Sequence, residues 1–407
     1  MRFSSWYATA AVIAFSLLAG EVARCEFPPP QKQLKTYVLP NNTKSADISP
    51  DERLVVTECI EKREDAESAK KTFVDLVQLW NFTDGKMVAE FAAPQSDAKA
   101  AEGHFFAGTV ASARFVRFTP DGRLIVALID GTVHVLRAID LTELRTFPLV
   151  KPQSLTRTMR YRTRVIEPSA RTMEISPNGN LIAVLWLREM IHGGIQLYDL
   201  SSGRNILNWD TPQGWITHTR GLVWHPDGKL ILIAIPSASP CSSPSSQPDI
   251  FAFDVQTGAI EHKFTSGLLA GSIAVSSDNR VLAVDLNCMG VFKNHEPKLK
   301  VFDLITGKNL RKVSGRESGV RYLVSASADG SRFLALTGKM RVKFDWGDAL
   351  PYGVPVDENF SVWNLVNYEG IVTSQNIPGL RNSEIRLSSR GNYAVSCGEA
   401  SFVYELP

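Results

Sequence analysis

The chain has 407 residues, of which 44% are hydrophobic and 21% charged, and a formal net charge of +2. This is ordinary globular composition, and so small a positive balance gives no sign of a nucleic-acid or membrane-surface protein. A single core stops growing near ~250–300 residues, so the length calls for several domains or for a fold that adds core by repetition.

Arg2 is followed by a short apolar run, Ala8 to Gly20. The run is shorter than the ~20 residues that span a bilayer, and it fits the apolar region of a signal peptide. Residues 1–25 are therefore expected to be a signal peptide, and the protein is expected to be exported (secreted, periplasmic or at the cell surface). Residues 26–32, with Pro28-Pro29-Pro30, read as a linker. No later stretch is apolar and long enough to suggest a membrane span. The five cysteines, Cys25, Cys59, Cys241, Cys288 and Cys397, form no CxxC, haem or zinc pattern.

A strand is expected at Gln33–Leu39, and a repeat follows it. Each copy is an apolar segment, then Ser/Thr-Pro-Asp/Asn-Gly or a relic of it, then a run rich in Val, Ile, Leu and Ala. The clear copies are Ile48–Val56, Phe118–Val126, Ile175–Ala183 and Trp224–Leu232. Val275–Ala283, Ser327–Leu334 and Leu387–Val395 are weaker. Proline pre-sets φ for a turn and Asp/Asn-Gly supplies positive φ at little cost, so each copy predicts a hairpin. A second unit follows, a strand ending in an aromatic-Asp/Asn pair and a glycine turn: Trp80-Asn81 to Gly85, Tyr198-Asp199 to Gly203, Phe253-Asp254 to Gly258, and Phe302-Asp303 to Gly307. Two hairpins per repeat give four strands, a to d.

These two turns resemble those of the WD40 family, over residues from about Leu34 to Pro407. The resemblance implies an all-β, seven-bladed β-propeller of four-stranded antiparallel blades spanning residues 33–407. The last copy has three strands of its own, Ile385–Ser388, Asn392–Cys397 and Ser401–Leu406. The spare N-terminal strand is expected to complete that blade, which would remove the exposed edges of an open array.

In such a meander the a–b and c–d turns share one side of the disc, and here they are tight. The insertions fall on the other side, including Glu58–Thr72, Ala93–Ser112, Phe147–Arg171, Pro236–Asp249, Asn287–Lys298 and Gly338–Asn359. Long loops on a rigid scaffold are where binding usually sits. Within Phe147–Arg171 the candidates are Arg157, Arg160, Tyr161, Arg162 and Arg164. Alternate arginines Arg160, Arg162 and Arg164 would line one side of an extended segment, and guanidinium forks suit carboxylate, sulfate or phosphate. Trp215 and Trp346 are aromatic candidates on the same side, and Trp186 lies near it. Glu58–Lys71 has Glu/Lys spacing suited to a short exposed helix. Cys241 and Cys288 sit in corresponding loops and could form a disulfide. Cys59 and Cys397 could pair or remain buried thiols.

None of the histidines has metal-ligand spacing. No catalytic residue, metal or cofactor is expected. The reading is a non-catalytic exported binding or scaffold propeller that engages a protein or an anionic surface polymer through its b–c and d–a loops. The alternative is a propeller enzyme, a lactonase-like hydrolase or quinoprotein-like dehydrogenase, working in the central funnel. Acidic residues and an arginine around the axis would favour that alternative.

Overall fold

The computed structural model describes residues 35–39, 43–64, 71–93, 114–150, 155–159, 162–166, 169–189, 192–212, 221–235, 246–268, 270–285, 298–314, 320–328, 332–343, 352–364, 370–374, 384–397 and 401–406. Among them every regular element is a β-strand. The protein is an all-β propeller of four-stranded antiparallel sheets.

Chain order begins with β1 (Thr36–Val38), which leaves the first sheet to its successors. That sheet is β2 (Thr43–Ile48), β3 (Leu54–Glu64), β4 (Lys71–Asn81) and β5 (Lys86–Ala92). The second is β6 (Phe115–Phe118), β7 (Leu124–Ile129), β8 (Thr132–Arg137) and β9 (Glu143–Pro148). A two-stranded hairpin then intervenes, β10 (Leu155–Met159) with β11 (Arg162–Ile166). The third sheet is β12 (Ser169–Ile175), β13 (Leu181–Glu189), β14 (His192–Asp199) and β15 (Asn205–Asp210). The fourth is β16 (Leu222–Trp224), β17 (Leu230–Ala234), β18 (Ile250–Asp254) and β19 (Ile260–Phe264). The fifth is β20 (Ala270–Val275), β21 (Arg280–Asp285), β22 (Lys298–Asp303) and β23 (Asn309–Ser314). The sixth is β24 (Val320–Ala326), β25 (Arg332–Lys343), β26 (Tyr352–Asn364) and β27 (Gly370–Ser374). Those six sheets each use four strands that are consecutive in the chain. The remaining strands, β28 (Ile385–Leu387), β29 (Tyr393–Ser396) and β30 (Phe402–Glu405), share a composite sheet with β1, which pairs antiparallel with β30.

The a–b turns form for the reason their residues suggest. The Ser49 hydroxyl donates to Asp51 Oδ1 at 2.6 Å and accepts the amide of Leu54 at 2.9 Å. Thr119 with Asp121, and Ser176 with Asn178, repeat the arrangement at 2.6 and 2.7 Å. The first turn has Glu52, at φ 61°, where most later copies have glycine and the fifth has Asn279, at φ 62°. Its carboxylate accepts bonds from Ser388 Oγ at 2.6 Å and Asn392 Nδ2 at 2.8 Å, joining the first sheet to the composite one.

The c–d glycines do more than turn the chain. Gly203, Gly258 and Gly307 all have positive φ, and each lies under an aromatic ring from the outer strand region of the preceding sheet. Those rings, Phe147, Trp209 and Phe264, pack on Tyr198, Phe253 and Phe302 of the same next sheet, with centroids 6.2, 5.7 and 5.2 Å apart. A Cβ added at Gly258 would lie 2.0 Å from Trp209 Nε1. In the second sheet Leu141 takes the left-handed position (φ 56°), and Phe91 of the first sheet packs near His134, 5.4 Å between centroids. At the other junction Phe82 lies between Tyr37 and Tyr393 of the composite sheet, at 5.4 and 5.1 Å. Apolar cores fill the spaces between neighbouring sheets, as in the cluster of Leu185, Ile195, Trp209, Ile233 and Phe251.

Two expectations are corrected. Glu58–Lys71 is not a helix: β3 runs to Glu64 and β4 starts at Lys71, in unbroken register from Leu54↔Asn81 to Glu64↔Lys71. Strand pairing outweighs the local helical charge spacing. Likewise Gly338–Asn359 is largely a long hairpin, with β25 and β26 paired out to Lys343↔Tyr352. Cys59 and Cys397 are buried free thiols. Cys59 Sγ lies 3.7 Å from Gln78 Oε1, while Cys397 packs with Leu39, Val55 and Phe82. Residues 1–34, and with them the proposed signal peptide and linker, lie outside the described residues.

Candidate site in the axial channel

The first strand of each sheet ends in the same way, with one residue placed two positions before the turn Ser, Thr or His. Those residues are Asp47, Arg117, Glu174, Val223, Ala274, Ser325 and Arg386. Neighbouring first strands pack together from β2 through β6, β12, β16, β20 and β24 to β28, and β28 packs on β2. A cavity of about 700 Å³ runs between them, lined by residues of β12, β16, β20, β24 and β28 among others. One side carries charge and the other, with Leu222, Val223, Ile273 and Ala274, is apolar.

On the charged side Arg386 grips Glu174 with two parallel bonds, Nη1 to Oε1 at 2.7 Å and Nη2 to Oε2 at 2.8 Å. This is the bidentate geometry that makes such pairs strong. Arg386 Nε also lies 3.5 Å from Asp47 Oδ1. Arg117, only 2% exposed, donates to Glu384, to Ser45 Oγ at 2.9 Å and to the Val116 carbonyl at 2.8 Å. Ser45 Oγ donates in turn to Glu384 Oε2 at 2.8 Å. Asp47 Oδ2 accepts the amide of Phe118 at 2.9 Å, and Ser325 Oγ that of Leu387 at 3.0 Å, so these side chains also tie one sheet to the next.

The electrostatics follow from burial and pairing. Burial pushes the Asp47 carboxyl up, and Arg386 and Arg117 only partly offset it. Burial works the same way on Glu174, but there the two guanidiniums prevail and hold the carboxyl below the usual range. Burial opposes the charge on Arg386, yet Glu174, Asp47 and Glu384 raise its value well above the ordinary one. The carboxyls and guanidiniums of the cluster are thus engaged with one another. Among the described residues no group of three or more His, Cys, Asp or Glu is placed to hold a metal ion.

Three of the sequence-predicted site residues are on the β10–β11 hairpin. Arg157 is on β10 and Arg162 and Arg164 are on β11, with Arg157 paired opposite Arg164 and Met159 opposite Arg162. Arg162 and Arg164 share the extended segment β11. Arg160, Tyr161, Trp215, Trp346, Cys241 and Cys288 lie outside the described residues. Trp186 is buried, at 2% exposure, in the core with Tyr198 and Met173. The axial residues were missed as a set, although their fixed offset from the turn Ser or Thr was available in the sequence.

No protein-family model matches the chain, and no curated protein matches it. Solved structures do. The chain is similar to the β-propeller domain of Myceliophteria thermophila Cps50 (Swd1), with a TM-score of 0.54 and 10% identity over 93% of this chain and 100% of that one. It is also similar to Kuenenia stuttgartiensis hydrazine synthase, with a TM-score of 0.49 and 14% identity over 72% of this chain and 76% of that one. Likeness at these identities concerns the fold alone. Among the described residues no helix is long and apolar enough to cross a membrane. With its repeated turns, its four-stranded antiparallel sheets and the likeness to the Cps50 domain, the chain has the fold of a β-propeller.

Proposed function

We propose that the protein is an exported, non-catalytic binding propeller that engages a protein or an anionic surface polymer on its b–c and d–a side. In this reading the six sheets of consecutive strands and the composite sheet form one ring of seven, with β1 completing the last blade. The packing of β28 on β2 and the pairing of β1 with β30 support that closure.

The observation that carries the binding reading is the β10–β11 hairpin. It stands outside the four-stranded sheets, on the connection between the second and third, and it sets Arg157 opposite Arg164 with Arg162 two positions away. An arginine-rich ribbon added to a rigid disc suits carboxylate, sulfate or phosphate groups on a partner. The mutual engagement of the axial charges supports a non-catalytic role. The test is capture of exported proteins and surface polymers of the host by the mature protein, from about Glu26. The control is a variant with Arg157, Arg162 and Arg164 changed to Ala. A partner kept by the wild type and lost by the variant supports the reading; equal capture by both removes the arginines from it.

One observation favours the enzyme reading, namely the three carboxylates and two guanidiniums beside the axial channel. A lactonase-like hydrolase or quinoprotein-like dehydrogenase would act there. Turnover of a lactone panel, or quinone-dependent oxidation, that disappears in Glu174→Gln while the fold persists would establish it.

A further inference from the structure

One strand outward from Ser45 of the axial cluster, on the seam between the first two sheets, a second charged cluster has a different balance. Glu58 lies in β3, opposite Ser45 of β2 and Val77 of β4. Its side chain is 0% exposed, and neither carboxyl oxygen has a hydrogen-bond partner. Arg114, just ahead of β6, is the nearest cation, with Nε 3.5 Å from Glu58 Oε1. That guanidinium donates to Asp75 of β4, Nε to Oδ1 at 2.5 Å and Nη2 to Oδ2 at 3.3 Å. Asp130, in the turn between β7 and β8, approaches the same Nη2 at 3.6 Å.

Three carboxyls therefore share one guanidinium. Lys44 of β2 is the other cation whose field reaches Glu58. Asp75 and Asp130 approach the same guanidinium, and an ionised Glu58 would add a buried carboxylate with no hydrogen-bond donor on either oxygen. A buried charge without such partners is strongly disfavoured, and the group neutralises instead.

We propose that this seam is a proton-dependent latch, closed while Glu58 is a neutral acid and loosened when it ionises. Arg114 fastens the entry of β6 to β4 through Asp75. A charged Glu58 competes for Arg114 or draws water into the seam, and either outcome weakens that fastening. Burial, the largest influence, pushes the Glu58 carboxyl up to about 8; Asp75 and Asp130 act in the same direction, and Arg114 and Lys44 oppose it. The inference is independent of what the propeller binds.

The sign follows from proton uptake. Between the ordinary glutamate value of 4.5 and about 8, the folded chain holds a proton that the unfolded chain has released. Stability is therefore fully present below that window and falls as pH rises through it. The experiment is urea unfolding of the full chain from pH 5 to 9, comparing wild type with Glu58→Gln, which is neutral throughout. The folding constant of the wild type relative to the variant is expected to fall about tenfold per pH unit up to pH ~8, then level off. Parallel pH profiles would overturn the proposal. Should the glutamine variant not fold, glutamate-labelled carbon NMR of the wild type decides: one carboxyl titrating near pH 8 supports the latch, and titration of every glutamate below pH ~6 refutes it.

Discussion

Replacing Gly258 by alanine separates two roles of a turn glycine that are usually confounded. Gly85 and Gly258 occupy the same turn in different sheets, with φ of 70° and 73°. A Cβ at Gly85 meets nothing within 4 Å, whereas one at Gly258 would overlap the Trp209 ring, 2.0 Å from Nε1 and 2.4 Å from Cδ1. Both substitutions incur the left-handed cost of about 1–2 kcal/mol. Gly258→Ala must in addition displace a ring that is stacked on Phe253, 5.7 Å away at an interplanar angle of 5°. Overpacking of that kind adds about 1–3 kcal/mol. The expected losses in urea unfolding are therefore about 1–2 kcal/mol for Gly85→Ala and about 2–5 kcal/mol for Gly258→Ala. In a Trp209→Leu background, Gly258→Ala should fall to the cost of Gly85→Ala, because the obstructing ring is gone. Equal losses for the two single variants would refute the idea that c–d glycines are kept clear for the neighbouring ring.

Three further outcomes follow from the structure. Glu174→Gln leaves Arg386 and Arg117 without their shared carboxylate and should cost about 2–4 kcal/mol at neutral pH by urea unfolding, less than a fully buried pair because the Arg386 and Glu174 side chains are 23% and 18% exposed. The Glu174 carboxyl is held low, so its contribution is present above the ordinary value of 4.5 and lost as pH falls through the lower folded value; the variant should lack that part of the acid sensitivity. Tyr198→Phe removes the hydroxyl that accepts from the Val150 amide at 2.9 Å and donates to Gln196 Oε1 at 2.8 Å, and should cost about 1–3 kcal/mol in the same assay. Tyr37→Pro breaks the β1–β30 pairing at Tyr37↔Val403 and the edge contact with Phe82, and should cost about 3 kcal/mol; an unchanged unfolding midpoint would mean that β1 adds nothing to the composite sheet.

The repeated turns were legible because their chemistry is local. Ser49, Thr119 and Ser176 each bond within five residues of themselves, so their hairpins could be read from short strings. The strand at Gln33–Leu39 was legible too, as β1, because the last repeat lacked a fourth strand. Glu58–Lys71 was misread for the complementary reason: Glu/Lys spacing is a weak local preference, and pairing of β3 with β4 overrides it. The axial cluster depends on geometry that no short string contains. Arg386 and Glu174 are 212 positions apart, and only the placement of first strands around an axis brings them together. For the arginine candidates, the placing of Arg157 opposite Arg164 depends on antiparallel register, which composition does not encode. Cys59 and Cys397 do lie in sheets that meet through β2 and β29, yet their thiols face different surroundings.

The pairing of β1 with β30 also sets an order of events during synthesis. Tyr37 and Glu405, whose side chains meet at 3.3 Å, are 368 positions apart. At ~5–20 residues per second, β1 waits roughly 20–70 s for its partner strand to be made. Throughout that interval Thr36–Val38 lacks its partner strand, while early in it the first and second sheets gain all their strands. The earliest strand to be made is thus among the last to be used. A chain interrupted just before Phe402 would hold six complete sheets and still carry an orphaned strand at its start, a species open to pairing with other chains.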